Sequence, residues 1–505
     1  DGIDTRWRTE AIEAGFGPDQ LDTLLRRTAP SVEDDSTIEV LVGDRGSGTN
    51  AVRRIALDEL PAVVAERLAE IDSVVDETQV MAAIATLAPG GMSVALVEAL
   101  THRVLSDVEF VSVPGGPDGV HRWTTRTILD AEERLHEAFT SRSPGGAVVD
   151  EAEIAAAVGR TGSMLGPDQV EAVRRLCSDD GQLQVVVGRA GTGKTFAMAA
   201  VAEVYHRVGC PVVGVAPSAL AARSLSAGAG IEAFTLPRFH RHAAPLLTDR
   251  HVVIVDEAAM VGTLELDRLV TEARGAGAKI VLVGDHHQLP EIGAGGGFAA
   301  AVNAIGDRGC ELTVNRRQRA DWERAALDQL RHGDVESAYR AYRDHDRVTV
   351  CATHDELHQR IADEWAESTW WDVETLIVAG TRTEARLLND RARAAAERLG
   401  RLSGPPLTVA GRSFRVGDEV ILTRNDPSQT DLGTGGRRRV DNGTRGRITE
   451  ISPDGRVDVI TAIGEHIRLD PAYLGAGYLD HGYAVTIHKS QGITCDKVLV
   501  AGPRG

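Results

Sequence analysis

Lysine is almost missing from this chain: only Lys194, Lys279, Lys489 and Lys497 occur among 55 basic residues. A residue so rarely used is informative where it does occur. No run of about eighteen apolar residues exists, which excludes a membrane-spanning helix. The five cysteines, Cys177, Cys210, Cys310, Cys351 and Cys495, are scattered and never form a C-x-x-C pair. That pattern excludes a disulfide framework and the usual zinc spacings, and it fits a reducing, cytoplasmic compartment. The chain begins Asp1-Gly2-Ile3-Asp4, without methionine or a signal-peptide pattern, so the expectation is a piece of a longer protein.

What is present is globular in composition, with 42% hydrophobic and 26% charged residues. The 505 residues are too many for one core and predict several domains. A net charge of −19 argues at first against a nucleic-acid partner. Its distribution weakens the objection: residues 1–180 carry 33 acids against 16 bases, and the remainder is near neutral.

Residues 1–145 read as a mostly helical domain, open to a winged-helix-like reading. Apolar residues recur at helical spacing in Leu60–Ile71 and Ile128–Phe139. Val108–Val113 and His121–Thr124, around Pro114-Gly115-Gly116-Pro117, predict a hairpin. Ser141–Gly146 reads as a linker. From about residue 180, short Val- and Ile-rich strands alternate with helices, which predicts a doubly wound parallel α/β sheet. A second α/β run begins near Cys310. Within it, residues 411–470 change texture to short strands broken by Asn442-Gly443 and Asp454-Gly455, as in a small inserted β-barrel. The expected domains are 1–145, 146–309 and 310–505, the last containing the 411–470 insertion.

The strongest motif is Gly188-Arg-Ala-Gly191-Thr-Gly193-Lys194-Thr195, a complete G-x-x-x-x-G-K-[ST] between a predicted strand and helix. Glycines let backbone N–H groups close around phosphates, and the helix N-terminus adds partial positive charge. Lys194 is expected on the β- and γ-phosphates of ATP, and Thr195 on Mg²⁺. Asp256-Glu257 ends the predicted strand Val252-Val253-Ile254-Val255. Asp256 is the expected second metal group, and Glu257 the group that orients and deprotonates the attacking water. Gln288, in Gly284-Asp285-His286-His287-Gln288-Leu289-Pro290, offers an amide to the γ-phosphate. His286-His287 and His240-x-His242 are poor metal pairs, because close neighbours rarely face one ion.

In order, GRAGTGKT, VDEAAM, VGDHHQLP, NRRQ and GYAVTIHKSQG resemble superfamily 1B, RecD-like helicases, and most of all the helicase half of MobF-type conjugative relaxases. The resemblance covers residues 160–505. It implies two RecA-like P-loop NTPase domains with an SH3-like insertion in the second. It implies ATP- and Mg²⁺-dependent unwinding of DNA with 5′→3′ polarity, and conjugation-machinery partners. It places Gln169 on adenine, Arg317 on the γ-phosphate with Arg316 as competitor, and Gly492 near the phosphates. It places Ser218, Thr235, Phe239, Thr486, His488, Lys489, Ser490 and Gln491 on single-stranded DNA, Phe239 as a base-stacking ring. The family also carries an arginine motif beyond the strand that is here Lys497–Ala501, and a nicking domain with a tyrosine nucleophile. Residues 1–150 hold no tyrosine and only His102, His121 and His136, so no relaxase activity is expected. Without the last motif, the expected behaviour is binding of ATP and DNA with slow turnover. Two other readings stay open: an ATP-gated DNA-binding module, and another kind of P-loop NTPase.

Overall fold

The computed structural model describes residues 37–43, 50–89, 91–114, 119–161, 164–289, 293–370 and 373–502. The chain divides into two compact units, one of residues 1–189, 200–213 and 236–313, the other of 190–199, 214–235 and 314–505. No helix among the described residues is long and apolar enough to cross a membrane.

The first unit opens with a strand pair, Thr37–Gly43 against Asn50–Ala56, and the helices Leu60–Ala69, Glu77–Leu87, Val94–Leu105 and Arg126–Thr140. Their starts are chemically marked. Asp76 and Gln79 form a reciprocal capping box, and Ser93 and Thr125 accept N–H groups of the first turns. Leu60, Val64, Leu68, Val80, Ile84, Leu87, Leu100 and Val104 are buried at helical spacing and make one core. Phe110–Val113 pairs antiparallel with Arg122–Thr125, the hairpin expected from the sequence. Gly115, Gly116 and Pro117 of its turn lie outside the described residues.

The same unit holds a parallel sheet. Leu183–Gly188 lies between Lys279–Gly284 and Cys310–Leu312, and Lys279–Gly284 also pairs with Val252–Val255. All four residues of Val252–Val255 and all six of Lys279–Gly284 are buried, as a sheet covered on both faces requires. Because the strands are parallel, Gly188, Val255 and Gly284 end at one edge. The fold is α/β with a parallel sheet of the kind P-loop NTPases use.

In the second unit Thr375–Ala379 is the centre of a three-stranded parallel sheet, between Ala484–Thr486 and Lys497–Val500. Helices His354–Trp370 and Arg382–Arg398 cover it through Ile361, Trp365, Leu388 and Ala392. Antiparallel strands run from Ser403 to His481. Seven of them form one sheet, over a core that includes Phe414, Val420, Ile448, Val459 and Leu469. Gly443 and Gly455 sit in its turns at φ +88° and +83°, the left-handed conformation that only glycine adopts cheaply.

Candidate functional site

The P-loop is shaped by its glycines. Gly191 and Gly193 have φ +80° and +77°, and this turns successive N–H groups to one side. Lys194 and Thr195 open the helix Lys194–Arg207 immediately afterwards. A Cβ on Gly191 would sit 2.7 Å from both Arg317 Cβ and Asn315 Oδ1, so glycine is required by space as well as by φ. The NRRQ turn, which belongs to the same unit, lies against this loop. Arg316 N–H donates to Gly191 O at 2.8 Å, and Arg316 Nη1 donates to Thr192 O at 2.9 Å and to Val314 O at 3.0 Å. Asn315 Oδ1 accepts the N–H groups of Arg317 and Gln318, which fixes the turn. Arg317 Nη2 reaches Thr494 Oγ1 at 3.3 Å. Gly492, at φ +79°, lies two residues before that threonine.

Asp256, Glu257 and Gln288 follow the two neighbouring strands of the first unit. Asp256 is buried, and its Oδ1 accepts the Glu257 N–H at 2.9 Å. Glu257 has φ 50° and ψ 40°, a conformation costing roughly 1–3 kcal/mol in a non-glycine residue and concentrated at functional sites. Gln288 Nε2 donates to Asp285 Oδ2 at 3.2 Å. Pro290 of that motif lies outside the described residues. Gln169 is buried, and its Oε1 accepts the Gly166 N–H at 2.9 Å, capping the helix Pro167–Ser178.

The residues expected on DNA differ in exposure. Ser218 is exposed and caps the helix Ala219–Ala229, its Oγ accepting from Ala221 N–H at 3.1 Å. Thr235 is half-buried at the end of Glu232–Thr235. Thr486 precedes the short helix Ile487–Ser490, on which His488 and Lys489 are exposed. Ser490 Oγ donates to Ile487 O at 2.7 Å. Both amide atoms of Gln491 are buried without a hydrogen-bond partner. Such a group is rare in a folded chain and indicates a missing partner. Phe239 corrects the expectation of a stacking ring. It is 0% exposed and packs edge-on against His240 with centroids 5.6 Å apart. His240 Nδ1 in turn lies 2.6 Å from Glu272 Oε2. A ring enclosed in this way offers no face to a base. Burial disfavours the His240 cation, but hydrogen bonds to Glu265 and Glu272 outweigh it and raise the pKa.

The AAA domain family matches residues 164–353. The chain is 34% identical over 391 residues to the conjugal transfer protein TraA of Agrobacterium fabrum, covering 75% of this chain and 34% of that protein. It is 28% identical over 327 residues to the ATP-dependent RecD2 DNA helicase of Deinococcus radiodurans, covering 63% and 42%. It is 27% identical over 420 residues to the RecBCD enzyme subunit RecD of Mycolicibacterium smegmatis, covering 72% and 70%. The chain is similar to the TraA conjugal transfer proteins and more distantly to RecD helicases. It spans about a third of the length of the TraA relatives. Among solved structures, the DUF1998 helicase MrfA bound to DNA aligns over 50% of this chain and 39% of its own, with TM-score 0.31 and 12% identity, too distant to support any argument.

Three positioning residues carry little or no signal in the sequence. Asp285 is 2% exposed and holds Gln288, and its signal was its place directly after a strand. Asn315 builds the turn that carries Arg317, and an Asn two residues before an Arg is a weak turn signal. Thr494 meets Arg317 across 177 residues of sequence, and nothing local announces that pairing.

Proposed function

We propose that this chain is the motor core of an ATP-driven, 5′→3′ single-stranded DNA helicase of the kind found in conjugative relaxases. The observation that carries the reading is the P-loop itself: two left-handed glycines before Lys194, with the Asn315–Arg317 turn packed on Gly191. Backbone N–H groups and Lys194 bind the β- and γ-phosphates. Thr195 and Asp256 suit Mg²⁺, being a hydroxyl and a carboxylate at the expected positions. The metal, when bound, neutralises phosphate charge. Glu257 orients and deprotonates water, Gln288 contacts the γ-phosphate, and Arg317 stabilises charge that develops in the transition state. Arg316 is already bonded to two P-loop carbonyls, which favours Arg317 for that role. The resemblance gives Gly492 to the phosphates and Gln169 to adenine, but Gln169 is 1% exposed with its Oε1 on the Gly166 N–H, which fits a helix cap better than a base contact.

Ser218, Thr235, Thr486, His488, Lys489, Ser490 and Gln491 grip the DNA backbone, and the unpaired Gln491 amide supports that assignment. The antiparallel sheet of the second unit supports the reading of residues 411–470 as an SH3-like insertion. Scattered free cysteines support a cytoplasmic setting. The test is steady-state ATP hydrolysis with and without single-stranded DNA. The parent chain is expected to be stimulated by DNA, and Lys194→Ala to lose turnover while melting at the parental temperature. Parental turnover in Lys194→Ala would refute the nucleotide site.

A further inference from the structure

The sheet of the first unit has a second polar recess, at the opposite end of the strand that leads into the P-loop. A cavity of about 520 Å³ is lined by Gln184, Arg142, Arg175, Arg308, Asp179 and Asp180. Gln184 is the second residue of the strand Leu183–Gly188, whereas Gly188 at the far end begins the P-loop. The cavity therefore lies away from the residues given to nucleotide above.

Its chemistry is specific. Gln184 is 9% exposed, and its Oε1 is buried with no hydrogen-bond partner. A buried carbonyl oxygen left in that state costs free energy until a donor arrives. The three guanidiniums present the opposite need. Arg142 Nη2 donates to Asp180 Oδ1 at 2.9 Å, Arg175 Nη2 to Asp307 O at 2.7 Å, and Arg308 Nη2 to Phe139 O at 3.4 Å. Each guanidinium has five N–H groups, so most donors on all three remain for another acceptor. Asp179 is partly occupied, since its Oδ1 accepts the Gly181 N–H at 2.6 Å. Three cations against two carboxylates leave the recess with an excess of positive charge.

A fitting ligand must accept from arginine and also donate to Gln184. A simple oxyanion such as sulfate meets only the first condition at neutral pH. Hydrogenphosphate meets both, because it carries its own P–OH donor beside anionic oxygens, and arginine forks match its geometry. We propose that this recess binds a phosphate group that retains a hydroxyl proton, with Gln184 Oε1 accepting that proton's hydrogen bond and Arg142, Arg175 and Arg308 holding the anionic oxygens. The group comes either as free inorganic phosphate or as the end of a phosphate monoester. The proposal goes beyond the nucleotide reading and does not depend on it.

The experiment is hydrogen–deuterium exchange on the whole chain with inorganic phosphate, sulfate or glycerol phosphate at matched ionic strength. It separates the recess from the P-loop, because the two lie in different peptides. Phosphate is expected to protect residues 176–185 at concentrations about tenfold lower than sulfate, the worth of one good hydrogen bond. Gln184→Leu should erase that preference, while Arg308→Gln weakens both anions alike. Glycerol phosphate decides the source. A monoester keeps its proton only near or below a pKa of about 6, so protection at pH 5.5 that fades by pH 8 assigns the recess to esters. Protection by inorganic phosphate alone assigns it to the free ion. Equal protection by sulfate and phosphate, or protection confined to residues 188–195, overturns the proposal. Should Gln184→Leu fail to fold, the sulfate comparison on the parent and the Arg308→Gln variant still decide.

Discussion

Gly191 shows how much one position can reveal. Its place in G-x-x-x-x-G-K-[ST] was legible from sequence, and the physical reason follows from φ +80° and from the 2.7 Å that a Cβ would leave to Arg317 and Asn315. Gly191→Ala therefore places an L side chain in a left-handed conformation, costing about 1–2 kcal/mol, and pushes the NRRQ turn away. Nucleotide affinity is expected to fall by about tenfold or more, as read by titration with a fluorescent ATP analogue. Unchanged affinity would show that the loop tolerates the shift and that the packing is incidental. Lys279 was not legible as anything more than one of four lysines. It is 0% exposed and donates to Ala147 O at 3.1 Å and Asp179 O at 2.6 Å, with Nζ 5.6 Å from the Tyr205 ring centroid. Burial lowers its pKa to about 8, so between pH 8 and the unfolded value of about 10.4 the unfolded chain binds more protons. Stability contributed at this site consequently rises with pH across that window. Burial raises Cys177 to about 12 and Cys310 to about 11, and these thiols oppose the trend above about pH 9. Urea unfolding at pH 7.5 and 8.8 should show a rise from the lysine that Lys279→Met lacks. Identical pH profiles would mean that Lys279 does not titrate there. Phe239 marks the limit at this scale: an aromatic just after a strand reads alike whether it faces a base or a core. Its enclosure involves Glu272, 32 residues beyond His240, a relation that local pattern does not carry.

Elements were more legible than single contacts. Short Val- and Ile-rich runs at Leu183–Gly188, His251–Asp256 and Ala278–Asp285 read as buried parallel strands, and the structure has strands at Leu183–Gly188, Val252–Val255 and Lys279–Gly284, because a sheet covered on both faces favours such runs. Turn pairs at Asn442-Gly443 and Asp454-Gly455 announced the antiparallel region for a similar reason. Its strands nevertheless begin at Ser403 and continue to His481, since a segment carrying Gly404, Pro405 and Pro406 does not read as a strand. What anchors it is Asp418, which no periodicity reveals. Its buried carboxylate accepts Arg393 Nε at 3.0 Å, Arg415 N–H at 2.6 Å and Tyr483 OH at 2.7 Å. Those partners come from a helix, a strand end and the residue that precedes the strand Ala484–Thr486. Asp418→Ala leaves a mostly buried guanidinium and a buried phenol unpaired, and is expected to destabilise the second unit by about 3–5 kcal/mol. Chemical denaturation measures this. A loss below about 1 kcal/mol would make the cluster equivalent to a surface ion pair.

At the scale of the whole molecule, the tension lies between a net charge of −19 and a DNA partner. The sequence resolves part of it, since residues 1–180 carry nearly all of the excess acid. The structure narrows the rest to few groups. Of the residues proposed on DNA, only Lys489 brings a full positive charge, and it is exposed beside His488 on the short helix Ile487–Ser490. The others, apart from the His488 imidazole, are four hydroxyls and one amide, which position a phosphate without releasing a counterion. A grip built this way should be weak in its salt dependence, as the proposed motor role would require of a chain that must let go at every step. Each phosphate neutralised on a single strand contributes about −0.7 to the slope of log affinity against log salt. Lys489→Ala is therefore expected to reduce the magnitude of that slope by about 0.7, with little change in preference among DNA sequences. Fluorescence anisotropy of labelled oligonucleotides at several salt concentrations gives the slope directly. A slope unchanged by Lys489→Ala would remove this loop from the DNA path. A reduced slope would place its one full cation on the phosphate backbone, and the acidity of residues 1–180 would then be no obstacle to binding.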